Sequence, residues 1–301
     1  MVRAHLRVLV VGALGLAWLA EPGCRRTEPA APPVATPKVT LSHDRVVAGS
    51  ALEITYRFEV APDARFAEDY RVFAHVVDTD GEQMWNDDHN PPTPTTQWKG
   101  GQVIEYTRTL FVPIFPYVGE ATIQLGLHSA KNKNEPRLPL SGETSGQRAY
   151  RVARLQLLPQ TESLFTVYKD GWHPTESGTP DGSVEWQWSK KQGTIAFKNP
   201  KSDSMLFLDL DSPMASLHPA QQVQISMSGQ VVDEFMLTPD VRLLRKVKLP
   251  AAQMGSGDLA ELQIGVDRTF IPAVVSPATS KDPRELGVRV FHLYIDPHPG
   301  S

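Results

Sequence analysis

Between Lys38 and Pro297 the apolar residues recur at every second position. Leu52, Ile54, Tyr56 and Phe58 alternate with Glu53, Thr55, Arg57 and Glu59, and Ala121, Ile123, Leu125 and Leu127 alternate with Thr122, Gln124, Gly126 and His128. Successive side chains of a strand point to opposite faces, so each set offers one apolar face to a core. Val223, Ile225 and Met227 repeat the pattern, as do Phe291, Leu293 and Ile295. No stretch of ten or more residues carries a convincing helical period. Asp80-Gly81, Ser228-Gly229, Ser256-Gly257 and many of the 26 prolines punctuate the strands as turns. Short strands at such spacing predict an all-β chain of two antiparallel β-sandwich domains in tandem, following a signal peptide and a Pro/Ala-rich tether. The least patterned stretch of the body, Pro159 to Ser163, divides it into residues 38–158 and 159–297, with 298–301 expected to fray.

The segment before the body has its own logic. Arg3, His5 and Arg7 lead into the thirteen uncharged, mostly apolar residues Val8 to Ala20. Such a run is short for a membrane helix, which takes about 20 residues, and fits the hydrophobic region of a secretory signal. Residues 1–23 are therefore expected to be a signal peptide and 24–37 a flexible tether, since an Ala/Pro-rich run cannot pack a core. Between them sits Cys24, the only cysteine in 301 residues. No disulfide can form within one molecule, so stability has to come from burial.

Basic lead, apolar run, Gly23-Cys24 and tether together resemble a bacterial lipoprotein signal. The resemblance implies that Cys24 becomes the first residue after cleavage and carries the lipids. Glu21, where the pattern has an aliphatic residue, and Pro22 depart from it. An ordinary cleaved signal with an incidental cysteine, or an uncleaved single-pass anchor, are the alternatives. The expected location is exported and membrane-anchored through the N-terminal lipid, on the periplasmic side or the cell surface. Arg25 rather than Asp after the cysteine fits outer-membrane sorting in a Gram-negative cell, by the same resemblance.

A net charge of -4 gives no global pull toward nucleic acid, and no nucleic-acid partner is expected. The sequence has no G-x-S-x-G elbow, no Walker loop, no H-E-x-x-H and no dinucleotide fingerprint, and its one cysteine lies at the tether. A glycosidase needs only two carboxylates, but such enzymes usually need a larger cleft than two small sandwiches provide. The expectation is a non-enzyme with no cofactor.

The candidate binding residues lie in loops. Asp78-Thr79-Asp80-Gly81 has the clustered oxygens of a calcium loop but lacks the glutamate at the twelfth position, and Asp-Gly between strands is a common hairpin signal. Asp87 and Asp88, beside His89, form a second acidic group, and with Asp78 and Asp80 they are the weak metal candidates. Trp85 and Trp98 bracket a proline-rich loop starting at Asn90-Pro91-Pro92. Indoles next to carboxylates suit sugar stacking, although plugging the end of the sandwich is the preferred reading for this pair. In GWHPTE, Gly171 to Glu176, Trp172 beside His173 and Glu176 is the better candidate for a ligand contact. Trp186 in EWQW is read as core, and Asp282-Pro283-Arg284 as a turn whose arginine pairs with a carboxylate.

The runs YRVFAHVVDTDG, PPTPTTQWKGGQVIEY, LGLHS and RLPL resemble a β-sandwich module that recurs beside bacterial envelope membrane glycosyltransferases. GWHPTE, EWQW and DPRELGVRVFHLYI look similar to a second sandwich module found at the periplasmic ends of the same class of enzymes. His128 and Ser129 stand where the first pattern has Tyr and Asp. The resemblance implies an envelope and glycan context and brings no catalytic residue. Two functions stay open: a carbohydrate-binding or polysaccharide-associated module, which is the reading adopted, and a structural or assembly lipoprotein whose sheet edges dock an envelope protein complex.

Overall fold

The computed structural model describes residues 31–114, 116–132, 137–178, 184–212 and 220–299. Cys24 and the expected signal segment lie outside them. The first set of strands runs β1 (Ala35–Leu41), β2 (Arg45–Val47), β3 (Ala51–Val60), β4 (Tyr70–Val77), β5 (Gln83–Asn86), β6 (Val103–Phe111), β7 (Gly119–Ser129), β8 (Thr144–Gly146) and β9 (Ala149–Leu158). They form a sheet β1-β3-β6 and a sheet β2-β9-β7-β4-β5, with β8 added beside β9. The alternating residues of β3 and β7 face each other, and Leu52, Ile54, Tyr56, Phe58, Ile123, Leu125 and Leu127 are at most 1% exposed. Burying each such side chain stabilises by about 1.5–3 kcal/mol.

After a single 3-10 turn at Gln160–Glu162, the second set runs β10 (Thr166–Tyr168), β11 (Glu176–Ser177), β12 (Glu185–Trp188), β13 (Gln192–Lys198), β14 (Ser204–Asp211), β15 (Gln221–Met227), β16 (Gln230–Leu237), β17 (Leu243–Leu249), β18 (Leu259–Val266) and β19 (Arg289–Asp296). The sheets β10-β13-β18-β15-β16 and β11-β12-β19-β14-β17 enclose a second core built on Ile195, Phe197, Leu206, Leu208, Ile225 and Ile264. The chain is all-β, and among the described residues its two α-helices are single turns, Ala251–Met254 and Pro272–Val275. The two cores are separate clusters within one compact unit, Pro33–Ser301.

Four details differ from the sequence reading. First, β2 pairs with β9 in parallel, because the chain leaves the β1 sheet after Leu41 and joins the opposite one. Second, the expected tether to residue 37 is too long: Ala35, Thr36 and Pro37 already pair with Val60, Glu59 and Phe58. Pro37 is tolerated because β1 is an edge strand. Third, His298 is tied down, its N–H donating to Asp296 at 3.0 Å. Fourth, the register between β14 and β19 slips, with Asp209 opposite His292 and Leu210 opposite Val290. Phe291 is the bulged residue, so Val290 joins Ile295 in the core and Phe291 turns out of it.

Candidate functional site

Where the two sandwiches meet, four short stretches converge on a cleft of about 830 Å³. The β1–β2 turn and β2 supply His43, Asp44 and Arg45; the 3-10 turn supplies Thr161 and Glu162; the β13–β14 turn supplies Lys198 and Asn199; and the end of β19 supplies Tyr294, Asp296 and His298. Each stretch is held by local bonds. The buried amide of Asn199 donates to the carbonyls of Met254, Gly255 and Gly257 at 3.3, 3.0 and 3.0 Å and accepts the N–H of Lys201 at 2.9 Å. Lys201 takes a left-handed φ of 56° in that turn. On the facing wall the Ser42 hydroxyl accepts the N–H of Glu53 at 3.1 Å and lies 3.1 Å from His43 Nδ1.

His43 also closes the floor between the sandwiches, its Nε2 lying 3.5 Å from the buried carboxylate of Asp296. The sandwiches are joined further along by a stack of Phe111 on His292, with centroids 4.4 Å apart and planes within 10°, and by Lys246 donating to Glu53. Burial, and next the charge of Asp296, pushes the Tyr294 hydroxyl up to about 12, so it stays protonated as a donor. Of the other charged groups around the cleft two are cationic and two anionic, so Asp296 leaves the lining with one formal negative charge when its histidines are neutral. Arg45 and Lys198 stand against Asp44 and Glu162, and none of the four has an ion-pair partner among the described residues. The cleft thus offers donors, acceptors and one aromatic ring, with a single excess carboxylate, Asp296, at its floor.

The tryptophans named from sequence lie elsewhere. Trp98 is 4% exposed and Trp85 8%, which corrects the stacking-platform reading for both. Trp98 packs against Phe58 and Phe66 at 5.1 and 5.5 Å while its Nε1 donates to the Thr93 carbonyl at 2.9 Å. Trp172 is half-buried, set edge-on against Tyr168 at 4.8 Å, with Nε1 donating to the Thr194 carbonyl at 3.0 Å. It lies over Gly193, where a Cβ would come within 2.5 Å of the indole. His173 Nε2 lies 2.8 Å from the Glu285 carbonyl. Glu176 accepts from Arg284 at 2.6 Å, and Arg284 also grips Asp282, whose carboxyl its hydrogen bonds hold down to about 2. Trp172, His173 and Glu176 therefore fasten their loop to neighbouring segments of the second sandwich, each remaining partly exposed.

The acidic candidates are also engaged. Asp78 Oδ1 accepts the N–H groups of Asp80 and Glu82, both at 2.9 Å, capping the hairpin turn. Asp87 takes two guanidinium bonds from Arg108 at 2.8 Å and one from the Tyr56 hydroxyl at 3.0 Å. Asp88 accepts the Ala74 N–H at 3.2 Å and lies 3.2 Å from His75 Nε2. Among the described residues no group of three or more His, Cys, Asp or Glu is placed to hold a metal ion. Sequence reasoning missed the cleft because its residues come from four distant stretches and share no spacing.

No protein-family profile and no curated protein matches the chain. Three solved structures show a remote likeness. The CBM51-2 domain in complex with GlcNAc, with INT domains, from Clostridium perfringens ZmpB is 7% identical over 60% of this chain and 38% of that one, with a TM-score of 0.25. Bacteroides ovatus SGBP-B of a mixed-linkage glucan utilization locus, in complex with a mixed-linkage heptasaccharide, is 10% identical over 87% and 53%, with a TM-score of 0.27. Bacteroides uniformis beta-glucuronidase 2 is 12% identical over 86% and 30%, with a TM-score of 0.27. The chain spans between 30% and 53% of the length of these three structures. At such TM-scores the likeness decides neither fold nor function, which rest on the chain's own residues.

Proposed function

We propose that the chain is an exported, non-catalytic glycan-binding protein, tethered to the membrane through lipid on Cys24, that holds its ligand in the cleft between the sandwiches. The observation that carries this reading is the cleft itself: about 830 Å³, lined by cations and anions that differ by one charge, with a protonated tyrosine. A neutral ligand dense in hydroxyls needs donors and acceptors in similar number, an apolar ring to lie against and no large excess of one charge, and its size suits a volume of this order. The tether reading is supported by the lead, apolar run and Gly23-Cys24 of the sequence, and outer-membrane sorting by Arg25 alone.

The test is a glycan array and polysaccharide-retention assay on the full-length chain, with calcium and with chelator. Wild type should bind saturably and independently of calcium, since Asp78 is occupied by backbone N–H groups. The Lys198→Ala/Glu162→Ala variant should lose about tenfold in affinity, the scale of one or two hydrogen bonds to charged groups, with unchanged melting. A folded chain that retains no glycan, and that pulls down one fixed protein partner whatever sugar is added, would favour the assembly role instead. Globomycin should leave an uncleaved precursor, and Cys24→Ala should abolish incorporation of labelled palmitate.

A further inference from the structure

The outer face of the larger sheet in the first sandwich collects cations around one ring. Register places Arg71 opposite His128, Phe73 opposite Gly126 and His75 opposite Gln124, and all of these point away from the core that Val72, Ala74 and Val76 enter. Gly126 leaves room for the Phe73 ring, which a Cβ there would meet at 2.3 Å. The Arg137 guanidinium covers that ring at 4.0 Å, His75 lies 5.0 Å from it and His128 6.4 Å. Arg148 donates to the Arg137 carbonyl, and Arg137 to the Gln147 carbonyl at 3.3 Å.

What sets this face apart is that, among the described residues, its arginines have no carboxylate partner. The other half-buried arginines among the described residues are matched: Arg57 to Glu105, Arg108 to Asp87, Arg245 to Asp233, Arg268 to Asp267, Arg284 to Asp282 and Glu176, and Arg289 to Asp211. Arg71, Arg137 and Arg148, equally half-buried, meet no carboxylate among the described residues. Among the described residues Asp88 faces His75 and Glu143 is taken by Arg151; Glu135, two residues before Arg137 in the sequence, lies outside them. Arg71 reaches only the Asp88 carbonyl, at 3.4 Å, and its Nε is buried with no acceptor at all. A buried guanidinium N–H with no acceptor, as at Arg71 Nε, is unfavourable unless something else satisfies it. A guanidinium lying flat on a ring keeps its N–H edge free, and that edge matches an oxyanion.

We propose that Arg71, Arg137 and Arg148, with His75 and His128, bind a multiply charged oxyanion of the phosphate or sulfate type on the outer face of the first sandwich. The site is separate from the cleft and does not depend on what the cleft binds. It would let the protein hold a phosphorylated or sulfated ligand that the cleft, with its one excess carboxylate, does not select.

The test titrates the full-length chain with inorganic phosphate, inorganic sulfate and glucuronate at constant ionic strength, read by histidine ring NMR and calorimetry. Phosphate or sulfate should shift the His75 and His128 rings saturably and leave His43 and His292 unmoved, and the Arg71→Gln/Arg148→Gln variant should bind at least about tenfold more weakly. Stronger binding of glucuronate would replace the proposed ligand class with carboxylates. Absence of any saturable shift in wild type, or equal binding by the folded variant, would overturn the site. The wild-type ring shifts decide the matter even if the variant does not fold.

Discussion

Asp87 stands between Tyr56 and Arg108, with the His89 ring tilted against Tyr56, centroids 4.9 Å apart. Burial pushes the Asp87 carboxyl up, but the Arg108 hydrogen bonds and charge outweigh it and hold it below its usual range. Burial lowers His89, more than the Asp87 carbonyl bond raises it. Both groups have depressed values in the fold, so each contributes stability above its unfolded value that is lost as pH falls. His89 acts first, below its unfolded value of 6.5, and Asp87 follows in the carboxylate range. Urea midpoints should therefore fall between pH 7.5 and 5.5, and His89→Gln should flatten that slope. Asp87→Ala should cost about 2–3 kcal/mol at neutral pH, because it leaves the Tyr56 hydroxyl buried and unpaired. Trp98→Ala should cost about 3–5 kcal/mol by chemical denaturation. At this scale the sequence showed which residues were unusual but not their partners: nothing in the spacing of Asp87 and Arg108 announces a bidentate pair across two sheets.

At the scale of elements, period two carried most of the information. The faces of β3 and β7 are those read from the alternation, because side-chain direction there depends only on parity. Parity fails wherever one residue is inserted, and the bulge at Phe291 re-phases β19 without any glycine or proline to mark it. The parallel pairing of β2 was hidden for a similar reason, since three residues carry too little pattern to assign a sheet. Gly193 is a readable case in retrospect, a glycine in a strand where another group approaches closely. Gly193→Ala should push the Trp172 indole aside, cost about 1–3 kcal/mol, and shift the tryptophan fluorescence to the red in the folded protein.

For the whole molecule, the important contacts join residues that are far apart in the chain, such as Phe111 with His292 and His43 with Asp296. Sequence periodicity reports on a strand's own two faces and carries no signal for such pairs, so the cleft was invisible until the sandwiches were placed together. If the cleft is the binding site, the junction should matter for affinity. Phe111→Ala/His292→Ala should widen the small-angle scattering envelope and weaken glycan binding while leaving each core intact. The most direct measurement is hydrogen–deuterium exchange of the full-length chain with and without a saccharide that the array identifies. The account predicts slower exchange confined to 43–52, 160–164, 198–202 and 294–298. Protection confined to the Trp172–Glu176 loop, or none at a saturating saccharide concentration, would contradict it.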